Sequence, residues 1–505
     1  FGDLYPQLQR IKATCDPRNQ LNPGKIATPK ASIELIKVDE ATTRGQEDRK
    51  IPVQVWDAYS EGMYCNGNGA CFNWNPNDAM CPSWKGTRQR VHSPKGRASL
   101  IREWLKQLSE RGVNPVSESQ QLQQRSFLGS LPSRAKNTWS RAQGEYDFSN
   151  EVMDSMSACL ACKSCVGQCP IKVDVPEFRS KFLELYYGRY LRPLKDYFIG
   201  GLEHFIPTLA KVAWLYNGLI KPKFMQAIMA RTAGMVDSPA LSGVDIEKAV
   251  VSLGVDYATP QRIAALSDET KQQTVILVQD AFTSYFDTQV VLDTLQLLKK
   301  LGFSPLLSPF KANGKPLHVH GFLKQFKNTA SQTAAFLNSL SNTGIPLIGI
   351  EPSMTLAYRS EYQKVLGDQA PKVALIQEWL AQHTEALQQQ SGKFTPGEFK
   401  LLAHCTEKTN AAASMQDWKA IFSALGQTYS QEATGCCGMS GTYGHEAKNV
   451  ATSKHIYQLS WGEIVKKPEN QGKLMATGYS CRSQVKREDK IQLPHPLQVL
   501  LQQSK

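Results

Sequence analysis

Between Cys159 and Pro170 the chain reads Cys-Leu-Ala-Cys-Lys-Ser-Cys-Val-Gly-Gln-Cys-Pro, four thiols separated by two, two and three residues and followed by proline. Thiolates two residues apart in a tight loop can each reach a different iron of one cubane, and a fourth thiol ahead of a proline typically ligates a second cluster. Zinc sites are built more often from separated Cys-x-x-Cys pairs. The spacing therefore predicts an iron–sulfur, electron-carrying centre formed by Cys159, Cys162 and Cys165, with Cys169 close by.

A related pattern lies upstream in Cys65-Asn-Gly-Asn68-Gly-Ala-Cys71 and Cys81-Pro82. Together the two segments look like the paired halves of a dicluster ferredoxin, with Asn68 where a middle cysteine would stand and a stretched gap from Cys71 to Cys81. By the crossed rule of such folds one [4Fe-4S] cluster takes Cys159, Cys162, Cys165 and Cys81. Cys65, Cys71 and Cys169 are left as an incomplete second set. That set could hold a three-iron cluster, a cubane with a labile iron beside Asn68, or no metal, since free cysteine packs as a small hydrophobe. With a single cluster, Cys169 competes with Cys81 for the fourth position.

Twelve cysteines in 505 residues, gathered in short motifs, are too sparse for a secreted disulfide scaffold and point to metal ligands in a reducing compartment. No signal-peptide pattern opens the sequence and no run of about 18 apolar residues interrupts it, so a cytoplasmic protein is expected. A chain that begins at Phe1 is expected to be a fragment or a processed product. Lys and Arg (58) exceed Asp and Glu (45), a net charge of +13 that suits nucleic acid, an anionic membrane face or an acidic partner. No recognition helix or RNA-binding motif accompanies it, which sets nucleic acid aside.

Asp16-Pro17 to Asn22-Pro23-Gly24-Lys25 is turn-rich, and the charged stretch Asp39 to Lys50 reads as a solvated linker. Arg97 to Gly112 reads as a helix with Leu100, Ile101, Trp104, Leu105 and Leu108 on one face and Gly112 as terminator. The polar segment of about 113–150 is expected to be a long surface excursion. From Phe178 to Met235 helical character returns, with Phe198, Phe205, Trp214, Tyr216 and Leu219 among lysines. Packing of these aromatics against the cluster domain is the expectation, and a basic aromatic helix lying on a membrane, peripheral to the inner membrane, is the alternative.

The last 230 or so residues repeat themselves. A strand is expected at Val275–Val278, then a helix from Val290 to Leu301 closed by Gly302, and Phe399–Leu402 opens a similar series. Ala281 matches Cys405, Ala312-Asn313-Gly314 matches Cys436-Cys437-Gly438, and Ser353-Met354 matches Ser480-Cys481, at offsets of 124, 124 and 127 residues. A nearly constant offset implies a duplicated α/β unit. One copy keeps its thiols, so Cys405, Cys436, Cys437 and Cys481 form a second candidate metal site, with Gly435 and Gly438 allowing a tight fold. His404 and His445 lie nearby as minor candidates for ligation or proton transfer.

His404-Cys405, Cys436-Cys437-Gly438-Met439-Ser440-Gly441 and Ser480-Cys481-Arg482 resemble the cysteine-rich CCG domain found in subunits of glycolate oxidase, anaerobic glycerol-3-phosphate dehydrogenase and heterodisulfide reductase. The Asp-Pro to Asn-Pro-Gly-Lys stretch resembles the tail of the FAD-linked oxidase C-terminal domain. With Met80-Cys81-Pro82-Ser83 and His92 to Ala98, the order of parts resembles the large bacterial D-2-hydroxyglutarate dehydrogenase family of FAD and iron–sulfur oxidoreductases. The implied fold class is α+β and α/β: a helical dicluster-ferredoxin-like domain followed by a duplicated α/β CCG-type domain, after a short oxidase remnant. The implied domains are residues 1–35 (oxidase tail), 36–60 (linker), 61–190 (ferredoxin-like, with insertion), 191–270 (helical connector), 271–370 (degenerate repeat) and 371–505 (second repeat).

The resemblance implies the C-terminal, electron-transfer portion of an FAD-dependent D-2-hydroxy acid dehydrogenase. A flavin domain, in the same polypeptide or a separate subunit, would supply electrons, and quinone or electron-transfer flavoprotein would accept them. FAD and the catalytic residues are expected outside this chain. Alternatives are a separate iron–sulfur subunit of glycolate or lactate oxidation and, from another class, an interaction module stabilised by zinc.

Overall fold

The computed structural model describes residues 1–30, 40 and 42–505, and of Phe127 the backbone alone. The boundary expected between residues 35 and 36 falls outside the described residues. Helices dominate up to residue 273, and all seven strands among the described residues lie between Thr274 and Ala476.

Near the N-terminus the chain turns after the helix Tyr5–Cys15 because the Asp16 carboxylate accepts from the amides of Gln20 (2.9 Å) and Leu21 (2.7 Å). The expected solvated linker is corrected in part. Arg44–Asp48 is a short helix, and Asp48 is buried against the Arg102 guanidinium, because a buried cation requires a partner.

Helix α1 (Pro94–Glu110) begins three residues before the expected start, where the Ser93 hydroxyl accepts from the Gly96 amide at 3.0 Å. It ends at Gly112, whose φ of 71° suits the left-handed turn that stops a helix. Its Ile101, Trp104, Leu105 and Leu108 are buried as the periodicity implies. They pack on α2 (Phe148–Ser157) through Val152 and Met156 and on α3 (Val175–Arg189) through Phe178 and Phe182. The Trp104 and Phe182 rings meet edge-on with centroids 5.1 Å apart. The segment of about 113–150 is not an irregular excursion: Pro115–Gln124 and Phe127–Ala142 are helices, the first capped by the Asn114 side chain. Gln and Ser carry little hydrophobic pattern, yet Gln is a good helix former once a cap is present.

Four helices follow, α4 (Leu194–Gly200), α5 (Leu202–Ala210), α6 (Ala213–Ile220) and α7 (Lys223–Thr232). The expectation that their apolar residues form core is corrected in part, for Tyr216 packs against a small buried cluster while Phe198, Trp214 and Leu219 are exposed. No helix among the described residues is long and apolar enough to cross a membrane.

The remainder is α/β with two parallel sheets. Strands β1 (Thr274–Leu277), β2 (Ser304–Leu307), β3 (Leu347–Gly349) and β4 (Val373–Leu375) lie in the order β2-β1-β3-β4. Strands β5 (Glu398–Leu402), β6 (Thr428–Gln431) and β7 (Leu474–Ala476) lie in the order β6-β5-β7. Thr274 to Glu398 is 124 residues, Ser304 to Thr428 is 124 and Leu347 to Leu474 is 127, the offsets found in the sequence. Both sheets feed one hydrophobic core, in which Val275, Leu307 and Ile348 meet Leu401, Met475 and Leu497. Two small sheets of three or four strands each bury more apolar surface by sharing a core than by folding separately.

The cysteine-rich loop and the second sheet meet through backbone. A methyl group on Gly167 would sit 1.8 Å from the Thr409 carbonyl oxygen, so only glycine permits this approach. Gly167→Ala is expected to separate the two segments and lower stability by about 1–3 kcal/mol. The check is the thermal unfolding midpoint, and an unchanged midpoint would contradict so close a contact.

Candidate metal centre

The loop that carries the first thiols leaves the C-terminus of α2, where the Cys159 amide donates to the Met156 carbonyl. Ala161 (φ 54°) and Lys163 (φ 57°) then adopt left-handed conformations that non-glycine residues rarely occupy. Lys163 is held there by burial and by ion pairs to Asp174 (3.6 Å) and Glu361 (3.4 Å). Cys81 is also left-handed (φ 37°), immediately before Pro82.

These bends bring Cys81, Cys159, Cys162 and Cys165 to the wall of one small cavity, with Arg97 and Lys163 beside them. Pro82, Leu160, Val175 and Pro176 complete an otherwise apolar lining. Burial raises the Cys81 thiol to about 11 and pushes Cys165 well above the usual thiol value. Such thiols ionise when a metal replaces their protons. Four cysteines around a shared space, Cys81 and Cys165 buried and Cys159 and Cys162 half-buried, with cations beside them, are a donor set whose chemistry fits a [4Fe-4S] cluster.

Arg97 is fully buried, and its guanidinium donates to the Ser155 carbonyl (3.0 Å), the Ser83 hydroxyl (3.0 Å) and the His92 carbonyl. None of these partners is charged, so its charge is directed at the cysteines.

The other upstream cysteines are placed differently. Cys65 and Cys71 are buried in the helical core, and burial raises the Cys71 thiol. Asn68 is exposed; its Oδ1 accepts from the Ala70 amide (2.9 Å) and its Nδ2 donates to Asn66 (2.8 Å), so its amide serves the local turn. Cys169 is half-buried against the same core and is not among the residues lining the four-cysteine cavity. Among the described residues no three Cys, His, Asp or Glu side chains are drawn together so as to hold one metal ion.

The second thiol set is gathered by the second sheet. Cys405 opens helix α8 (Cys405–Asn410) just after β5, Cys436 and Cys437 lie in the turn after β6, and Cys481 lies in the first turn of α9 (Tyr479–Asp489) after β7. All four are buried. Cys405, Cys436 and Cys162 pack in one cluster, and Cys437 and Cys481 pack in the next. Interaction with the neighbouring thiols holds Cys405 and Cys437 well below the usual thiol value and, together with burial, holds Cys162, Cys436 and Cys481 well above it. Five sulfurs thus form a continuous line from the first loop into the second site.

Lys408, one turn along α8 from Cys405, reaches the Thr434 hydroxyl at 2.8 Å and also its carbonyl. Burial lowers its ammonium, with the nearby thiols opposing that shift. Reasoning from sequence did not single out Lys408 or Arg97. Lys408 lies on the same helical face as Cys405, a signal that was available; the burial of Arg97 was not.

A cavity of about 120 Å³ lies where the loop, the connector and both sheets converge. Cys159, Cys162, His404 and Ser480 line it, as do Arg179, Lys315, His320 and Glu446. His404 Nδ1 accepts from the Thr406 amide (3.3 Å), which fixes the ring beside Cys405. His445 does not line this cavity; its Nδ1 bonds the Val236 carbonyl at 3.2 Å, a structural placement.

No family model and no solved structure matches the sequence. The chain is 51% identical to D-2-hydroxyglutarate dehydrogenase of Pseudomonas putida over 99% of its own length and 49% of that protein. It is 46% identical to D-2-hydroxyglutarate dehydrogenase of Escherichia coli over 99% of its length and 49% of that protein. One subunit of the anaerobic glycerol-3-phosphate dehydrogenase of Escherichia coli is 25% identical over 48% of this chain and 61% of its own length. The chain therefore spans about half the length of the curated D-2-hydroxyglutarate dehydrogenases it matches.

Burial holds His445 near 4, below its ordinary 6.5. Between those values the unfolded chain binds the extra proton, so stability falls as pH drops from 6.5 towards 4, by at most about 3 kcal/mol. His445→Gln is expected to flatten this part of the profile. Urea midpoints at successive pH values measure it, and parallel profiles in the two proteins would rule out His445 as a source.

Proposed function

The chain belongs with the D-2-hydroxyglutarate dehydrogenases over 99% of its length, and we propose that it is the electron-transfer part of an FAD-dependent D-2-hydroxy acid dehydrogenase, acting on D-2-hydroxyglutarate. The observation that carries this reading is the convergence of Cys81, Cys159, Cys162 and Cys165 on one cavity. A [4Fe-4S] cluster held by these four thiolates would supply one-electron transfer. FAD and the site that grips the 2-hydroxy acid would belong to the portion of the relatives that this chain does not span.

The chain's own residues have definite tasks in this scheme. Arg97 offsets negative charge gathered by the thiolates and so favours the reduced state. The apolar lining of Pro82, Leu160 and Val175 keeps water from the sulfurs, which likewise tunes potential. Cys162 packs on Cys405, so the second thiol set lies beside the first and is the natural exit for electrons. The cavity lined by Cys159, Cys162 and His404 would give a small acceptor such as a quinone access to the first thiol set, with Arg179, Lys315 and His320 also in its wall. The duplicated α/β unit is read as a CCG-type domain with one degenerate copy, and the turn around Asp16 as the end of an oxidase domain.

Anaerobic iron and acid-labile sulfide analysis with EPR of the reduced protein tests the proposal. Cys81→Ser and Cys159→Ser are expected to lose the cubane signal, and Cys65→Ser to keep it. The isolated chain should bleach near 400 nm with dithionite and show no dehydrogenase turnover. Oxygen-free protein that is colourless and iron-free, or that carries zinc alone, would overturn the assignment.

A further inference from the structure

From His204 to Val236 the sequence contains no Asp or Glu, while Lys211, Lys221, Lys223 and Arg231 fall within it. The structure places this acid-free stretch on α5, α6 and α7, with α4 just before it, and all four cations are exposed. Large apolar side chains lie among them. Trp214 is 76% exposed, Phe224 65% and Leu219 51%, and Phe198 and Ile228 are exposed as well. Single exposed apolar residues are ordinary, but five of them on consecutive short helices within 31 residues, among cations and without an acid after Glu203, mark an interaction surface.

The exposure is built in, because the opposite side of α6 is pinned. Asn217 Nδ2 donates to the Leu241 carbonyl (2.9 Å) and its Oδ1 accepts from the Leu241 amide (2.8 Å). The Tyr216 hydroxyl donates to the Pro239 carbonyl (3.4 Å), and Ala213 is buried. With those groups fixed inward, Trp214, Leu215 and Leu219 have no route into the protein. On α7, Phe224 and Ile228 stand one turn apart on one exposed face, flanked by Lys223 and Arg231.

We propose that α6 and α7, with the exposed end of α4, dock on the surface of an anionic phospholipid bilayer. Short helices with Trp, Phe and Leu on the outer face and lysines at the margins lie in the interfacial plane, the rings at the headgroup level and the ammonium groups against lipid phosphate. The charge pattern favours lipid over a protein partner of mixed charge, since α6 and α7 carry no acid to pair with the basic groups of such a partner. None of the described helices can cross the membrane, so attachment is to its surface. This surface is distinct from the thiol sites, and the proposal does not depend on their occupancy.

Co-sedimentation of the whole chain with vesicles tests it. Binding is expected to phosphatidylcholine vesicles containing phosphatidylglycerol, to fall with added salt, and to be weak with phosphatidylcholine alone. The double variant Lys221→Glu, Lys223→Glu is expected to weaken binding by about tenfold or more. Trp214→Ser with Phe224→Ser should weaken it while leaving thermal unfolding unchanged, because both side chains lie in solvent. Absence of binding to anionic vesicles, or wild-type binding by both variants, would overturn the proposal. So would strong protection of residues 211–232 from deuterium exchange in a full-length relative without vesicles, which would give this face to protein.

Discussion

Thiols crowded into a dry junction repel one another as they ionise, and a protein that gathers them has to fix them by something other than their own attraction. Here that constraint is met by backbone. Gly167 lies so close to the Thr409 carbonyl that no side chain fits between the cysteine loop and α8. Three hydrogen bonds tie the same surfaces: the Thr406 hydroxyl to the Cys162 carbonyl (3.0 Å), the Ser440 hydroxyl to the Leu160 carbonyl (2.7 Å) and the Asn410 amide to the Lys163 carbonyl (3.3 Å). Each donates to a carbonyl within the cysteine loop, so the loop's left-handed bends and its grip on the second sheet are one feature.

Charge is handled by the same economy of parts. Arg97, Lys85, Lys163 and Lys408 are all buried or nearly so around the two thiol sets. A buried cation without a partner is costly, and each of these is bonded chiefly to neutral carbonyls or hydroxyls or to a carboxylate on its far side. Lys163 and Lys85 are balanced by carboxylates, whereas Arg97 and Lys408 have only neutral partners and lie nearest the cysteines. Burial is the main cause that lifts Cys81 and Cys165, with neighbouring thiols adding to it at both and the Asp174 carboxylate at Cys165.

The sequence made legible what depends on neighbours along the chain. The periodicity of Ile101, Trp104 and Leu105 marked α1, the apolar run at Val275 marked β1, and the fixed offset of 124 residues carried the matching strand order of two sheets. The crossed grouping of Cys81 with Cys159, Cys162 and Cys165 was legible because ferredoxin spacing is itself a statement about geometry. What depends on distant segments was hidden. Thr406 and Cys162 are 244 residues apart, so nothing local announces that the two thiol sets adjoin. The aromatics of α6 carry the same periodicity whether they face core or solvent, and only the pinning of Asn217 to Leu241 decides between them.

The degenerate repeat shows how a fold outlives its donor set. Gly314 and Gly438 occupy matching positions and share a left-handed turn, with φ of 80° and 87°. The thiol pair that precedes one is replaced by Ala312 and Asn313 before the other. In that first copy Glu203 of α5 accepts from the Gly314 amide at 2.6 Å, while the Tyr362 hydroxyl donates to the Asn313 carbonyl at 2.7 Å. Burial lifts the Glu203 carboxyl to about 7, so it is far more readily protonated than an ordinary carboxylate. The first copy has become a scaffold whose turn is stabilised by a carboxyl and a phenol, and its connector helix is thereby fastened to the α/β body. The second copy keeps the sulfurs, so a single thiol set, not two, adjoins the cysteine loop at Cys162.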